Sequence, residues 1–61
     1  MLLYRFYFLD PAGHIKMAVN AECATDAAAL DQAATFLGEH PSIEVWESAR
    51  IIGDLKALPA A

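Results

Sequence analysis

Cys23, His14 and His40 are the side chains here that could ligate a metal, and Cys23 is the one thiol that could act as a nucleophile. Cys23 stands just ahead of Thr25-Asp26, where a helix is expected to begin, and a thiolate is favoured beside a helix N-terminus. The same position suits a small buried residue, and free cysteine is among the most buried residue types. No second cysteine is present to resolve an oxidised form. A structural Cys23 is therefore expected, with a Cys23-based redox sensor as an alternative. His14 follows Gly13 and His40 follows the expected helix end, so both are expected in solvent-facing connections, His40 interacting favourably with the helix C-terminus. None of the three lies at a recognised zinc spacing such as Cys-x-x-Cys, so no metal is expected.

Glu44, Glu47 and Asp54 are the nearest thing to an acid/base set, but all fall on exposed-looking strand or turn positions, where ordinary pKa values are the rule. Asp26 and Asp31 belong to the helix cap and its solvent face. No Gly-rich phosphate loop, Gly-x-Ser-x-Gly elbow or His-Glu-x-x-His pair occurs. Small tautomerases of similar length use an N-terminal proline as base, whereas Met1 is followed here by Leu2, whose size should block methionine removal. No enzyme activity, cofactor or small-molecule substrate is expected.

The elements that must carry these residues follow from patterning. Residues 3–9 are rich in aromatics and too short for a helix, which favours a strand with Tyr4, Phe6 and Phe8 on one face and Leu3, Arg5, Tyr7 and Leu9 on the other. Asp10-Pro11-Ala12-Gly13 has the chemistry of a type I turn with Gly at its fourth position. Residues 14–21 read as a returning strand in which Ile15, Met17 and Val19 alternate with Lys16, Ala18 and Asn20. Thr25 is expected to cap a helix with Asp26 just inside it. That helix should run to Leu37, burying Ala27, Leu30, Ala33, Ala34 and Leu37, with Phe36 on the flank beside Ala29. Gly38 is expected as a left-handed C-terminal residue, with Pro41 preventing continuation. Residues 42–47 alternate again, and a turn at Ser48-Ala49 leads into a weaker strand over 50–55.

This is an α+β domain on a ββαββ plan, a mainly antiparallel four-stranded sheet with one helix on one face. Residues 1–55 form the single domain, and 56–61 are expected to fray. A 61-residue chain buries only about 60% of the surface its unfolded form exposes. With disulfides and metals set aside, oligomerisation is the expected reinforcement. One helix covers one sheet face, so the other, bearing Arg5, Tyr7, Leu9, Lys16, Glu44 and Trp46, is the expected partner surface, for a second copy or another protein.

Eight acidic residues against four basic ones give a formal charge of −4, which repels phosphate backbones unless Arg5, Lys16, Arg50 and Lys56 cluster. No nucleic-acid partner is expected. Arg5 interrupts the opening apolar run and Asp10-Pro11 closes it, so no signal peptide is read, and no segment reaches the ~20 apolar residues of a membrane span. A single thiol fits a reducing cytoplasm.

The order Tyr-Arg-Phe-Tyr-Phe-Leu-Asp from Tyr4, then Gly13-His14-Ile15, Glu-Cys-Ala-Thr-Asp from Glu22, and Ile-Glu-Val-Trp-Glu from Ile43 before Arg50-Ile51-Ile52-Gly53 resembles a family of small alphaproteobacterial proteins of unassigned function. The resemblance covers roughly residues 3 to 55 and rests on structural signals. It implies a bacterial cytoplasmic protein with a ββα-type core and brings no catalytic residues. A weaker likeness is to antitoxins of the HicB type, whose N-terminal part runs strand, strand, helix with a cysteine before the helix. Cys23-Ala24-Thr25 echoes that pattern, but Ala21-Glu22 stand where those proteins have Pro-Gly.

Overall fold

A computed structural model describes residues 1–57. The alternating stretches pair as strands β1 (Leu2–Leu9), β2 (Ile15–Cys23), β3 (Ser42–Glu47) and β4 (Arg50–Lys56), with helix α1 (Asp26–Ala34) between β2 and β3. The sheet order is β2-β1-β3-β4 and all pairings are antiparallel. The ββαββ plan is thus as expected. Because β2 and β3 flank β1, the helical connection must cross one face of the sheet to reach its far side, and it covers that face as it does so.

Both hairpins follow from local chemistry. At the first, Gly13 N–H donates to the Asp10 carbonyl at 2.9 Å, while Asp10 Oδ1 accepts from Ala12 and His14 backbone N–H at 3.0 and 2.8 Å. Gly13 takes φ +88°, a region other residues enter only with strain. At the second, Ser48-Ala49 joins the paired Glu47 and Arg50, with Ser48 at φ 53°, as two-residue hairpin loops demand of their first member.

Tyr4, Phe6 and Phe8 of β1 pair with Ala21, Val19 and Met17 of β2, and Phe6 and Phe8 with Val45 and Ile43 of β3. Their side chains meet α1 in a core of Tyr4, Phe6, Phe8, Ala21, Cys23, Ala29, Ala33, Ile43 and Val45. Thr25 caps α1 as expected, its hydroxyl accepting from Ala28 N–H at 3.1 Å.

The helix itself departs from the sequence reading. It ends at Ala34, and a tight turn follows in which Phe36 and Leu37 N–H donate to the carbonyls of Ala33 and Ala34. Gly38 has no positive φ, so it is not the left-handed terminator. Ala29 and Ala33 are buried, while Ala27 and Ala34 are exposed. The phase is set by two bulky contacts. Leu30 lies over Gly53, where an added Cβ would sit 2.5 Å from Leu30 Cδ2. Phe36 is not on a flank, for its ring lies 6.3 Å from Phe6 and 5.3 Å from Phe8, centroid to centroid. His40 lies in a connection as expected but is half-buried rather than free in solvent, its ring stacking on Phe8 at 4.2 Å.

Strand bounds also shift. β2 continues through Cys23, placing that residue in the sheet rather than in the helix start. A bulge leaves Lys16 without a partner between the Phe8–Met17 and Leu9–Ile15 pairs, which turns Ile15 to the face of Leu9 instead of that of Met17. A second bulge at Ile52 does the same for Ile51, which pairs with Trp46. Lys56 pairs with Ser42, and Ala57 N–H donates to the Pro41 carbonyl at 2.8 Å, so the expected fraying does not begin at 56. The rest of that expected tail, residues 58–61, lies outside the described residues.

Candidate interaction surface

The sheet face away from α1 collects most of the residues picked out by alternation. Register sets Asn20, Arg5, Trp46 and Ile51 side by side across the four strands, and Ala18, Tyr7, Glu44 and Asp54 in the next row. The Tyr7 and Trp46 rings meet edge to face at 6.4 Å and 84°. Trp46 Nε1–H donates to Glu44 Oε1 at 3.1 Å, and Arg5 Nε–H donates to Asn20 Oδ1 at 2.9 Å. These bonds orient the indole and the guanidinium, and the edge-to-face contact orients the phenol, before any partner arrives, which lowers the entropy lost on binding. Leu9 is half-buried on this face, and Lys16 stands at the β2 bulge and off the regular ladder.

Three apolar residues outside the expected partner surface enlarge it: Leu3, which alternation already put on this face, and Ile15 and Ile51, which it did not. Leu3, Ile15 and Ile51 are 57%, 58% and 50% exposed. Ile15 and Ile51 reach this face only through the two bulges; Gly53, next to the bulged Ile52, is the one sequence signal for either. Among the described residues Arg5, Lys16 and Lys56 form no ion pair, and Glu44 faces Asp54 across the β3–β4 ladder. Unpaired cations and a carboxylate pair leave the surface electrostatically open to a partner.

Its concavities are shallow. A depression of about 250 Å³ is lined by Leu3, Tyr4, Arg5, Tyr7, Asn20 and Ser48, below the about 300–1,000 Å³ of enclosed small-molecule sites. A wider groove of about 440 Å³ runs between the Asp10–Gly13 turn and Pro41–Ser42, with Glu44, Asp54 and Lys56 along it.

The covered face carries a polar network that sequence reading missed. Buried Tyr4 donates its hydroxyl to Asp26 Oδ1 at 2.7 Å, and Arg50 grips both oxygens of Asp26 at 3.1 and 3.2 Å and Glu47 Oε1 at 3.0 Å. Burial, then the bond to Asp26, pushes the Tyr4 pKa up to about 12. The Arg50 guanidinium, then the Tyr4 hydroxyl, hold Asp26 below the usual carboxylate range, and Asp26 and Glu47 in turn raise Arg50. Each group is locked in the form it already prefers at neutral pH, so the network joins β1, α1 and the β3–β4 hairpin rather than exchanging protons.

The other chemically able side chains are dispersed. Cys23 is buried with its thiol 3.4 Å from Gln32 Oε1, His14 is exposed in the first turn beside Asp10 Oδ2 at 3.7 Å, and His40 lies against Phe8. Among the described residues no three His, Cys, Asp or Glu side chains come together as metal ligands. No helix is long and apolar enough to cross a membrane. In comparisons with known proteins, the chain matches no family model, no curated protein and no solved structure.

Proposed function

We propose that the chain is a non-enzymatic protein-interaction module of the cytoplasm that self-associates through its uncovered sheet face or a sheet edge. The observation that carries this reading is the four-stranded face opposite α1, where Trp46 is oriented by its hydrogen bond to Glu44 and Tyr7 by edge-to-face packing on Trp46, while Leu3, Ile15 and Ile51 remain half or more exposed. Contiguous apolar surface rimmed by charge marks interaction sites, and aromatic and arginine residues dominate their energetics. A cytoplasmic setting agrees with one buried, unpaired thiol. Burial of Cys23 against Gln32 also speaks against a redox role, which needs an accessible thiolate.

Light scattering across the micromolar range tests the proposal. The expected result is a mass twice the 6.6 kDa of one chain, with Trp46 emission shifting to the blue where the seam is the sheet face and unchanged where it is a sheet edge. A monomer at every concentration overturns self-association and turns attention to a different protein as partner, as in an antitoxin-like regulator.

A further inference from the structure

We infer that two copies of this chain join edge to edge through β2, antiparallel about a two-fold axis at Val19, to form a continuous eight-stranded sheet. This rests on the self-association proposed above and names its geometry. β2 is an outer strand, so one row of its backbone N–H and C=O groups has no neighbour in the sheet, and such an edge is a template for another strand. From Met17 to Cys23 it holds an unbroken register with β1, the only irregularity being at Lys16. The apolar side of this edge is also unfinished. Met17, which shares the face of the core, is 46% exposed, and Val19 packs against the core only half-buried.

The sequence of β2 complements itself. Lys16 and Glu22 lie three residues either side of Val19 and both are exposed. An antiparallel pair centred on Val19 sets each Lys16 opposite Glu22 of the second copy, Met17 opposite Ala21, Ala18 opposite Asn20, and Val19 opposite itself. Both charge pairs are then attractive, and Met17, Val19 and Ala21 of both copies make one apolar strip on the core side. The other edge does not work this way. Pairing β4 about Gly53 would oppose Arg50 with Lys56, and its bulge at Ile52 adjoins the centre of that pairing, whereas the β2 bulge at Lys16 lies at the end of its own. A two-fold perpendicular to the sheet keeps both helices on one side and both Tyr7–Trp46 faces on the other.

The test is sedimentation of the full chain and its charge variants, with circular dichroism showing that each is folded. Lys16→Glu and Glu22→Lys should each weaken the dimer by about tenfold, since each turns two attractions into two repulsions. The double variant Lys16→Glu/Glu22→Lys should regain wild-type affinity, and an equimolar mixture of the two single variants should form a heterodimer. Net charge cannot mimic this pattern: Glu22→Lys makes the chain less negative, and bulk repulsion alone would then tighten the dimer. Wild-type affinity in both single variants, or no recovery in the double, overturns the β2 register. If those variants dimerise normally and Trp46→Ser abolishes association, the edge geometry fails while self-association stands. A wild-type chain that stays monomeric removes both.

Discussion

Tyr4 exchanges water for one strong acceptor, Asp26 Oδ1 at 2.7 Å, and the consequence is legible in pH. Its pKa of about 12 in the fold stands above the about 10 of an unfolded tyrosine. Stability from Tyr4 is therefore intact below pH about 10 and drains away as pH rises through about 12. Alkaline titration followed by phenolate absorbance should show one late-ionising tyrosine whose ionisation coincides with loss of tertiary structure. Tyr4→Phe should delete that step, and a step remaining in the variant would contradict the assignment. Asp26 has the opposite sign: its lowered pKa gives stability that is present above the about 3.9 of an unfolded aspartate and lost as pH falls through the folded value. Asp26→Asn should flatten melting temperature against pH on that acid limb. None of this network could be read from sequence, because Tyr4 lies 22 residues from Asp26 and Asp26 lies 24 from Arg50. Only the order β2-β1-β3-β4, with its helical crossover, brings them together.

At the scale of elements, local chemistry was readable and helix phase was not. Asp10-Pro11-Ala12-Gly13 and Thr25 carry their own hydrogen-bonding instructions, and the aromatic–polar alternation of 3–9 and 42–47 sets side-chain parity without tertiary help. Helix α1 has five alanines among nine residues, so its hydropathy barely varies round the axis. Its rotation is decided by Leu30 over Gly53 and by Phe36 against Phe6 and Phe8. Gly53→Val should accordingly destabilise the domain by about 1–3 kcal/mol in urea unfolding, because the new branched side chain overlaps Leu30. Adding Leu30→Ala should cost less in that background than in wild type, and additive costs would show that the two do not meet. The second hairpin predicts a gain. Ser48 holds φ 53°, a conformation that costs a residue with a Cβ about 1 kcal/mol more than glycine. Ser48→Gly should raise the urea midpoint with an unchanged slope. The bulges at Lys16 and Ile52 explain why the candidate surface was read incompletely: each reverses parity for one isoleucine, and only the second has a glycine beside it, Gly53, to signal it.

For the whole molecule, the balance between size and coverage makes self-association a stability question. The core has five large side chains that are fully buried, Tyr4, Phe6, Phe8, Ile43 and Val45, and one nine-residue helix shelters one side of the sheet. A domain of this size unfolds with about 2.1 cal/mol/K of entropy per residue. If folded chains pair and unfolded chains do not, mass action ties the melting temperature to concentration. Together these give a rise of about 3–6 °C per tenfold increase in concentration above the dissociation constant. Lys16→Glu should shift the onset of that dependence to higher concentration, and Lys16→Glu/Glu22→Lys should restore it. A melting temperature independent of concentration in the wild-type chain would mean that the sheet face and edge contribute nothing to stability through a second copy. Tyr7, Trp46 and Ile51 would then be surface that the monomer keeps for a different protein.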